Sequence, residues 1–223
     1  MSMHADKPLS IVVLISGNGS NLQAIIDDIA KNNDNACITA VISNRPDVYG
    51  LVRAKAADIP TRVIDHTGFD DRLSFDQALQ DCIDEYQPGL IILAGFMRIL
   101  SPTFVSHYHG RMINIHPSLL PEFTGVNTHQ RVLDAGRTEH GVSIHFVTEE
   151  LDGGPVICQS RIQVKANDTS KSLAMRLQIE EHRLYPIVVQ WIANHRLYQT
   201  GHQVVFDEHV LEAPVDLTES SPS

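Results

Sequence analysis

Near its start the chain carries a continuous apolar, largely β-branched run at 10–16. A run of this kind is typical of a strand buried on both faces of a parallel sheet. In the following stretch, 20–31, apolar residues recur every three or four positions, which predicts an amphipathic helix. Ser20 or Asn21 would form the N-cap of this helix, because their side-chain oxygens can accept the first free N–H groups.

The same alternation of strand and helix continues along the chain, which favours an α/β fold with a doubly wound, mostly parallel sheet in one domain. Further strands are predicted at 37–43, 61–64, 90–94, 112–116, 142–147, 155–164 and 204–206. Further helices are predicted at 48–58, 73–86, 101–108, 128–135 and 170–193. In the 73–86 helix we expect Leu73, Leu79, Ile83 and Tyr86 to share one side, and in the last helix Pro186 should cause a kink or a break.

Composition limits the classes of function. The hydrophobic fraction of 43% is sufficient for a packed core, and the net charge of −10 disfavours a nucleic-acid partner. No apolar run is long enough to cross a membrane. Cys37, Cys82 and Cys158 form no C-x-x-C motif, so we expect reduced, buried thiols in a cytoplasmic protein. The histidines form no metal-binding motif, and we expect no metal site.

The most informative polar residues are Asn114 and His116, at the end of the apolar run that Pro117 terminates. Side chains two apart in a strand point to the same face, so an amide and an imidazole project together there. Both groups can donate hydrogen bonds to a developing oxyanion, and Asp152, in a glycine-rich turn, could orient the imidazole. A structural hydrogen-bonded pair and an ordinary turn are the alternatives.

The first predicted strand and helix are joined by a glycine-rich loop at 17–21. Glycines allow close approach of a ligand to the backbone, and a helix N-terminus attracts anions, so this loop is a candidate phosphate site. The third glycine of a dinucleotide fingerprint is replaced by Leu22, and the P-loop lysine is missing. These differences favour a single phosphomonoester over NAD or ATP, with an ordinary capped turn as the alternative.

A third candidate segment, 97–100, leaves the predicted central strand at its carboxyl end, where open α/β sheets bind ligands. Met97, Ile99 and Leu100 could line an apolar slot for a flat heteroaromatic ring. A connection that only packs on the core is equally compatible with this pattern.

Four segments, at 15–25, 93–101, 114–121 and 145–157, together resemble the phosphoribosylglycinamide formyltransferases, folate-dependent enzymes of purine synthesis. The resemblance covers about 9–206 and implies a Rossmann-like formyltransferase domain over that range. Residues 1–8 would then form an N-terminal extension and 207–223 a flexible C-terminal tail. Glu122 departs from the pattern, since some members carry lysine at the matching position.

The resemblance implies a role for each matching residue. Catalysis would fall to Asn114, His116 and Asp152. Gly19, Ser20 and Asn21 would bind the substrate phosphate, and Glu181 the ribose, although Glu181 could instead lie on a solvated helix face. The folate would contact Arg72, Met97, Arg98, Ile99, Leu100, Asn114, Thr148, Glu149, Glu150, Leu151 and Asp152. A surface role is the alternative for Arg72.

The implied activity is transfer of a formyl group from 10-formyltetrahydrofolate to the amine of glycinamide ribonucleotide, without a metal. The expected partners are small molecules, with a homodimer as an additional candidate and with no nucleic acid or membrane. Formyltetrahydrofolate deformylase uses similar residues on water, but it normally has a further N-terminal domain for which 1–9 leave no room. A non-enzymatic folate- or nucleotide-binding module would be expected to lack part of the Asn, His and Asp set.

Overall fold

The structure, a computed structural model, describes residues 7–32 and 35–218. Its strands are β1 (Leu9–Ile15), β2 (Ala36–Ser43), β3 (Thr61–Val63), β4 (Leu90–Leu93), β5 (Met112–His116), β6 (Glu139–Phe146), β7 (Val156–Gln163), β8 (Leu197–Thr200), β9 (Gln203–Phe206), β10 (His209–Val210) and β11 (Val215–Asp216). Its α-helices are α1 (Ser20–Asn32), α2 (Tyr49–Ala56), α3 (Arg72–Asp84), α4 (Pro102–His107), α5 (Thr128–Asp134) and α6 (Ser170–Ala193).

Eight strands form one sheet in the order β11-β7-β6-β5-β4-β1-β2-β3. The half from β3 to β5 is parallel, as expected for strands that alternate with helices. β6 pairs antiparallel with both β5 and β7, and the β6–β7 register shifts between Ile144 and His145. β8, β9 and β10 form a separate antiparallel sheet, so the strand predicted at 204–206 is not part of the main sheet.

Helices cover both faces of the main sheet. On one face, side chains of α1, α2 and α6 pack on the sheet, and Leu22, Leu51 and Leu184 represent this contact. On the other face the core is filled from α3 and α4, for example by Phe75 and Phe104, which are both buried. The predicted fold class, a doubly wound and mostly parallel α/β sheet, is therefore confirmed.

Two helix predictions need correction. Leu73 is 62% exposed, and α3 instead buries Phe75, Asp76, Leu79 and Ile83. The reason is that Leu73 and Leu79 are six residues apart, a spacing that separates their side chains by about 120° around the helix, so Leu73 faces outward while Leu79 faces the core. α6 continues through Pro186, which is buried within it, so no break occurs there.

The C-terminal segment also differs from the expected flexible tail. β11 pairs parallel with β7, and the Leu217 carbonyl accepts a hydrogen bond from the Arg183 guanidinium. These contacts tie 215–217 to the sheet, while 219–223, like 1–6, lie outside the described residues. Cys37 is exposed on β2, contrary to the expected burial, whereas Cys158 is buried; all three cysteines are free thiols.

Candidate active site

The candidate catalytic residues lie at the carboxyl end of β5. Asn114 and His116 belong to this strand and are two positions apart, so their side chains share a face. The loops that follow β1 and β4 leave the same edge of the sheet, because the three strands are parallel neighbours. This edge is where open α/β sheets bind ligands.

Asn114 is oriented by a residue that the sequence did not single out, His145 on β6. The antiparallel register places His145 directly opposite Asn114, and Asn114 Nδ2 lies 3.2 Å from His145 Nε2. His145 Nδ1 lies 2.9 Å from the Phe146 carbonyl, which can only accept, so Nδ1 carries the proton and Nε2 accepts from Asn114. This bond fixes the amide with its second N–H available for another acceptor.

The electrostatic surroundings keep His145 neutral. Burial lowers its pKa, and the nearby charge of His116 acts in the same direction. The hydrogen bond to the Phe146 carbonyl and the Asp152 carboxylate oppose this shift without overcoming it. A neutral imidazole is the state that can accept the amide proton of Asn114.

His116 contacts an acceptor with each of its ring nitrogens. Nε2 lies 2.9 Å from the Phe123 carbonyl, and Nδ1 lies 3.4 Å from Asp152 Oδ2. The side chains of His116 and Asp152 are only 7% and 8% exposed, so the pair is largely shielded from solvent. Each ring nitrogen of His116 therefore faces an oxygen that can accept a proton from it.

Asp152 reaches this position from a tight turn. Its own φ is +53°, a left-handed conformation that aspartate tolerates better than most residues. A Cβ on the nearby Gly154 would lie 1.8 Å from the Phe146 carbonyl, so the turn can pack against β6 only with glycine there. The turn predicted from the sequence therefore needs glycine at 154 in order to hold Asp152 close to β6.

The loop after β5, residues 117–127, contacts both members of the His116–Asp152 pair. The Phe123 carbonyl accepts from His116, and the Gly125 N–H donates to Asp152 Oδ2 at 2.8 Å. Both contacts are made by the backbone, so no side-chain type in the sequence could have indicated them. This loop, which we call the catalytic loop, sets the orientation of the two charged groups.

The glycine-rich loop at 17–21, the phosphate loop, lies at the end of β1. Gly19 has φ +73°, and a Cβ there would lie 2.7 Å from the Gly50 Cα, so this loop packs directly on the backbone of α2. Ser20 accepts a hydrogen bond from Gln178, and Asn21 donates to Glu181 at 2.8 Å. These contacts bring α6 beside the start of α1, where an anion would bind.

Two polar groups in this region are poised for further partners. The buried Oδ1 of Asn21 has no hydrogen-bond partner among the described residues. Burial raises the pKa of Glu181, and the hydrogen bond from Asn21 opposes that shift. A buried acceptor without a partner is costly, and a ligand hydroxyl or amide would satisfy it.

The segment after β4 presents apolar side chains to solvent beside this edge of the sheet. Met97 and Ile99 are 69% and 61% exposed, whereas Leu100 is buried and belongs to the core. The Met97 N–H donates to Ser16 Oγ, and Ser16 donates to Asn44 Oδ1. Ser16 and Asn44, which the sequence did not single out, therefore connect the ends of β1, β2 and β4.

The other predicted folate contacts occupy two places. Arg98 lies over the Phe75 ring at 5.2 Å, and Arg72 is exposed as the first residue of α3. Thr148, Glu149, Glu150 and Leu151 form the turn that leads to Asp152, with Leu151 53% exposed. The structure brings this turn to the catalytic pair, and it gives Arg72 no hydrogen bond or ion pair with catalytic side chains in the described part of the chain.

His129 on α5 and His140 on β6 form a pair of histidines in contact. His129 Nδ1 is 3.0 Å from His140 Nε2, and His140 is buried. Burial and the charges of His129 and His116 lower the pKa of His140 to about 4. Within 7–32 and 35–218, no group of three or more His, Cys, Asp or Glu side chains could hold a metal ion. No helix in these ranges is both long and apolar enough to span a membrane.

Comparison with known proteins agrees with this geometry. The sequence profile of the formyl transferase family matches residues 9–189. The phosphoribosylglycinamide formyltransferase of Escherichia coli strain K12 is 53% identical over 189 residues, which are 85% of this chain and 89% of that protein. The trifunctional purine biosynthetic protein adenosine-3 of Bos taurus is 47% identical over 188 residues. These residues are 84% of this chain but only 19% of that longer protein.

A solved structure of similar sequence has the same fold. The phosphoribosylglycinamide formyltransferase from Coxiella burnetii is 55% identical, with a TM-score of 0.89 over 94% of this chain and 99% of that chain. The family match, the identity over nearly the full length of a relative and the shared fold give one conclusion. The chain belongs to the formyl transferase family, as a member of the phosphoribosylglycinamide formyltransferases.

Proposed function

We propose that this chain transfers the formyl group of 10-formyltetrahydrofolate to the amine of glycinamide ribonucleotide, a step of purine biosynthesis. The observation that carries the proposal is the group formed by Asn114, His116 and Asp152 at the carboxyl end of β5, in a chain of this family. The arrangement supplies hydrogen-bond donors for an oxyanion and a carboxylate beside the charged donor, and the substrate amine supplies the nucleophile.

Asn114 and His116 would stabilise the negative charge that develops on the formyl oxygen when the amine attacks. The Asn114 amide would donate directly, through the N–H that its contact with His145 leaves free, whereas His116, whose ring nitrogens face the Phe123 carbonyl and Asp152, would contribute its positive charge. Fixed donors stabilise a transition state without reorganising, and one of them is typically worth ~3 kcal/mol.

Asp152 would hold the imidazolium and accept the proton that the attacking amine must lose. Its Oδ2 faces His116 Nδ1, and its Oδ1 lies 3.9 Å from His145 Nε2, outside hydrogen-bond distance. The carboxylate is therefore oriented towards a single imidazole and the Gly125 N–H. A bridging water could carry the proton from the amine to this carboxylate, and the same proton would pass to N10 of the folate as the bond between N10 and the formyl carbon breaks and tetrahydrofolate leaves.

The amine would be brought to this site by the other end of its molecule. Gly19, Ser20 and Asn21 would bind the phosphate at the start of α1, and Glu181 would accept hydrogen bonds from the ribose hydroxyls. The hydrogen bond between Asn21 and Glu181 supports this arrangement, because it keeps the two side chains together at the start of α1. Binding energy from the phosphate would thus position an amine that is remote from it.

The folate supplies the formyl group, and the residues present fit its shape. The exposed Met97 and Ile99 offer apolar surface for a flat ring, and Leu151, in the turn that leads to Asp152, is a further exposed apolar side chain. The turn at 148–152 would form the wall of the pterin site, with Arg98 and Arg72 on the side of the folate carboxylates. The substrates are small molecules, and the free thiols are compatible with the reducing cytoplasm as the proposed location.

The test separates transfer from hydrolysis. Tetrahydrofolate formation from 10-formyltetrahydrofolate is followed by ultraviolet absorbance with and without glycinamide ribonucleotide, and the formylated ribonucleotide is measured in parallel. We expect tetrahydrofolate and the formylated ribonucleotide to form in equal amounts, and only when glycinamide ribonucleotide is present. Tetrahydrofolate formation that is independent of the amine would instead identify a deformylase, and no turnover under either condition would favour a binding module.

A further inference from the structure

Arg53, on α2, makes two hydrogen bonds to the phosphate loop and a third to Gln23 on α1. Its Nε and Nη2 donate to the backbone carbonyl and the side-chain oxygen of Asn18, both at 3.0 Å, and Nη1 donates to Gln23 Oε1 at 3.2 Å. Its guanidinium lies over the Tyr49 ring at 4.7 Å. An arginine with three hydrogen bonds and a contact with an aromatic ring has a fixed position, unlike a typical surface arginine.

The positive charge of Arg53 is not neutralised by these contacts. All three acceptors are neutral amide oxygens, and none of the ion pairs formed by residues 7–32 and 35–218 includes Arg53. Its Cδ lies 3.6 Å from the point where a Cβ of Gly19 would be, so the charge is next to the phosphate loop. In a chain of net charge −10, a cation with no ion-pair partner beside the phosphate loop favours the binding of an anionic ligand there.

The charge of Arg53 also reaches α6. The pKa of His182 is lowered first by burial and then by the charge of Arg53. The same helix contacts the phosphate loop, since Gln178 donates to Ser20 and Glu181 accepts from Asn21. The guanidinium therefore lies beside the phosphate loop and near the part of α6 that contacts this loop.

We propose that Arg53 supplies the fixed positive charge by which the phosphate loop selects a phosphorylated substrate, a role that rests on the proposed function. It is a positioning residue, because its hydrogen bonds go to Asn18 and Gln23 while its charge acts through space. The loop has no P-loop lysine, and Arg53 places a cation behind the backbone instead. The ligand it favours is a phosphomonoester dianion.

The experiment compares two substrates, glycinamide ribonucleotide and its phosphate-free ribonucleoside, by kcat/KM. The variants are Arg53→Gln, which keeps a polar side chain without charge, and the control Lys55→Gln, which removes an exposed charge from the same helix. We expect Arg53→Gln to lower kcat/KM for the ribonucleotide about tenfold, mainly through KM. We expect no change for the ribonucleoside, and no change for either substrate in Lys55→Gln.

Equal losses on both substrates, no loss on either, or the same loss in Lys55→Gln would each overturn the proposal. If wild-type protein does not formylate the ribonucleotide, the proposed function fails, and the outcome is recognised before any variant is made. Competitive inhibition by inorganic phosphate provides a second measurement that needs no turnover of the ribonucleoside. The inhibition constant should rise about tenfold in Arg53→Gln only, and an unchanged constant would contradict the role.

Discussion

The phosphate loop and the catalytic loop are held in place by different kinds of contact. The phosphate loop packs through Gly19 on the backbone of α2, and the Gly50 N–H donates to the Gly17 carbonyl at 3.0 Å. The start of the catalytic loop is held by buried hydrogen bonds of the Leu120 backbone with Ser143 and Gln159, whereas its tip is held at the surface, where Arg131 and Arg137 lie over the Phe123 ring at 5.5 and 5.8 Å. The phosphate loop is part of the backbone framework, and the tip of the catalytic loop depends on exposed side chains.

This difference separates binding from chemistry. Backbone packing fixes the shape of the phosphate loop before the substrate arrives, so the conformation of this loop should tolerate changes in salt and pH. The catalytic loop carries the Phe123 carbonyl and the Gly125 N–H that orient His116 and Asp152, and its exposed contacts are individually weak. Conditions that loosen these contacts should reduce turnover before they reduce substrate binding.

The largest effect should come from the catalytic pair itself. His116→Ala and Asp152→Asn should each lower kcat by on the order of a hundredfold or more, because they remove interactions made with the transition state. The dissociation constant of the ribonucleotide, measured by calorimetry, should stay within about twofold, since the phosphate loop is untouched. His109→Ala, at an exposed histidine, is the control. Near-normal turnover in His116→Ala would remove the mechanism.

Acid should lower the free energy of unfolding through His140, which lies on β6. Its pKa of about 4 in the folded protein lies below the ordinary value near 6.5, so the unfolded chain binds more protons between these limits. Stability is therefore complete above pH 6.5 and is lost as pH falls towards 4, by about 2 kcal/mol. Urea unfolding across this range should show a flatter profile for His140→Gln than for His109→Gln. Equal slopes in the two variants would contradict this assignment.

On the phosphate side, the test is the fit of Gly19 against Gly50. Gly19→Ala should raise KM for the ribonucleotide about tenfold and leave KM for the folate unchanged, because the added Cβ would collide with the α2 backbone. Gly136→Ala is a matched control, since Gly136 also has positive φ, +61°, but no atom within 4 Å of an added Cβ. A similar rise for both substrates would mean that the loop is not specific to the phosphate.

The smallest effect should come from the Glu122–Arg137 ion pair at 2.7 Å, in which both side chains are 51% exposed. Exposed pairs are worth ~0.2–1 kcal/mol, so Glu122→Gln should lower kcat about twofold. Added salt should lower kcat of the wild type towards that of the variant, because it screens the pair. A variant that loses as much activity with salt as the wild type does would show that the pair has no part in holding the catalytic loop.

The parts of the site that follow from local periodicity could be predicted from sequence. Asn114 and His116 share a face because strands alternate, and the strand holding them has the predicted bounds, 112–116. His145 was missed because its pairing with Asn114 depends on the register between β5 and β6, which no local pattern states. The contact of the Phe123 carbonyl with His116 could not be predicted, because every residue has a backbone carbonyl and the residue type does not indicate which one makes the contact.

The same division applies to the fold. The alternation of apolar runs and amphipathic helices was sufficient for the doubly wound sheet, since each run is long enough to define its period. The expected shared side of Leu73 and Leu79 was wrong because their six-residue spacing separates the two side chains by about 120° around α3. The pairing of β11 with β7 joins distant segments of two residues and eight, too short on one side to give a pattern.

The register shift of β6 has a consequence for how this family can change over time. On its β5 side the strand keeps Ser143, Ile144 and His145 in unbroken alignment with the catalytic strand, while on its β7 side the alignment slips between Ile144 and His145. A bulge absorbs an extra residue locally. A residue inserted or removed on the β7 side of β6 could therefore be absorbed locally, without shifting Asn114 and His116 relative to β6.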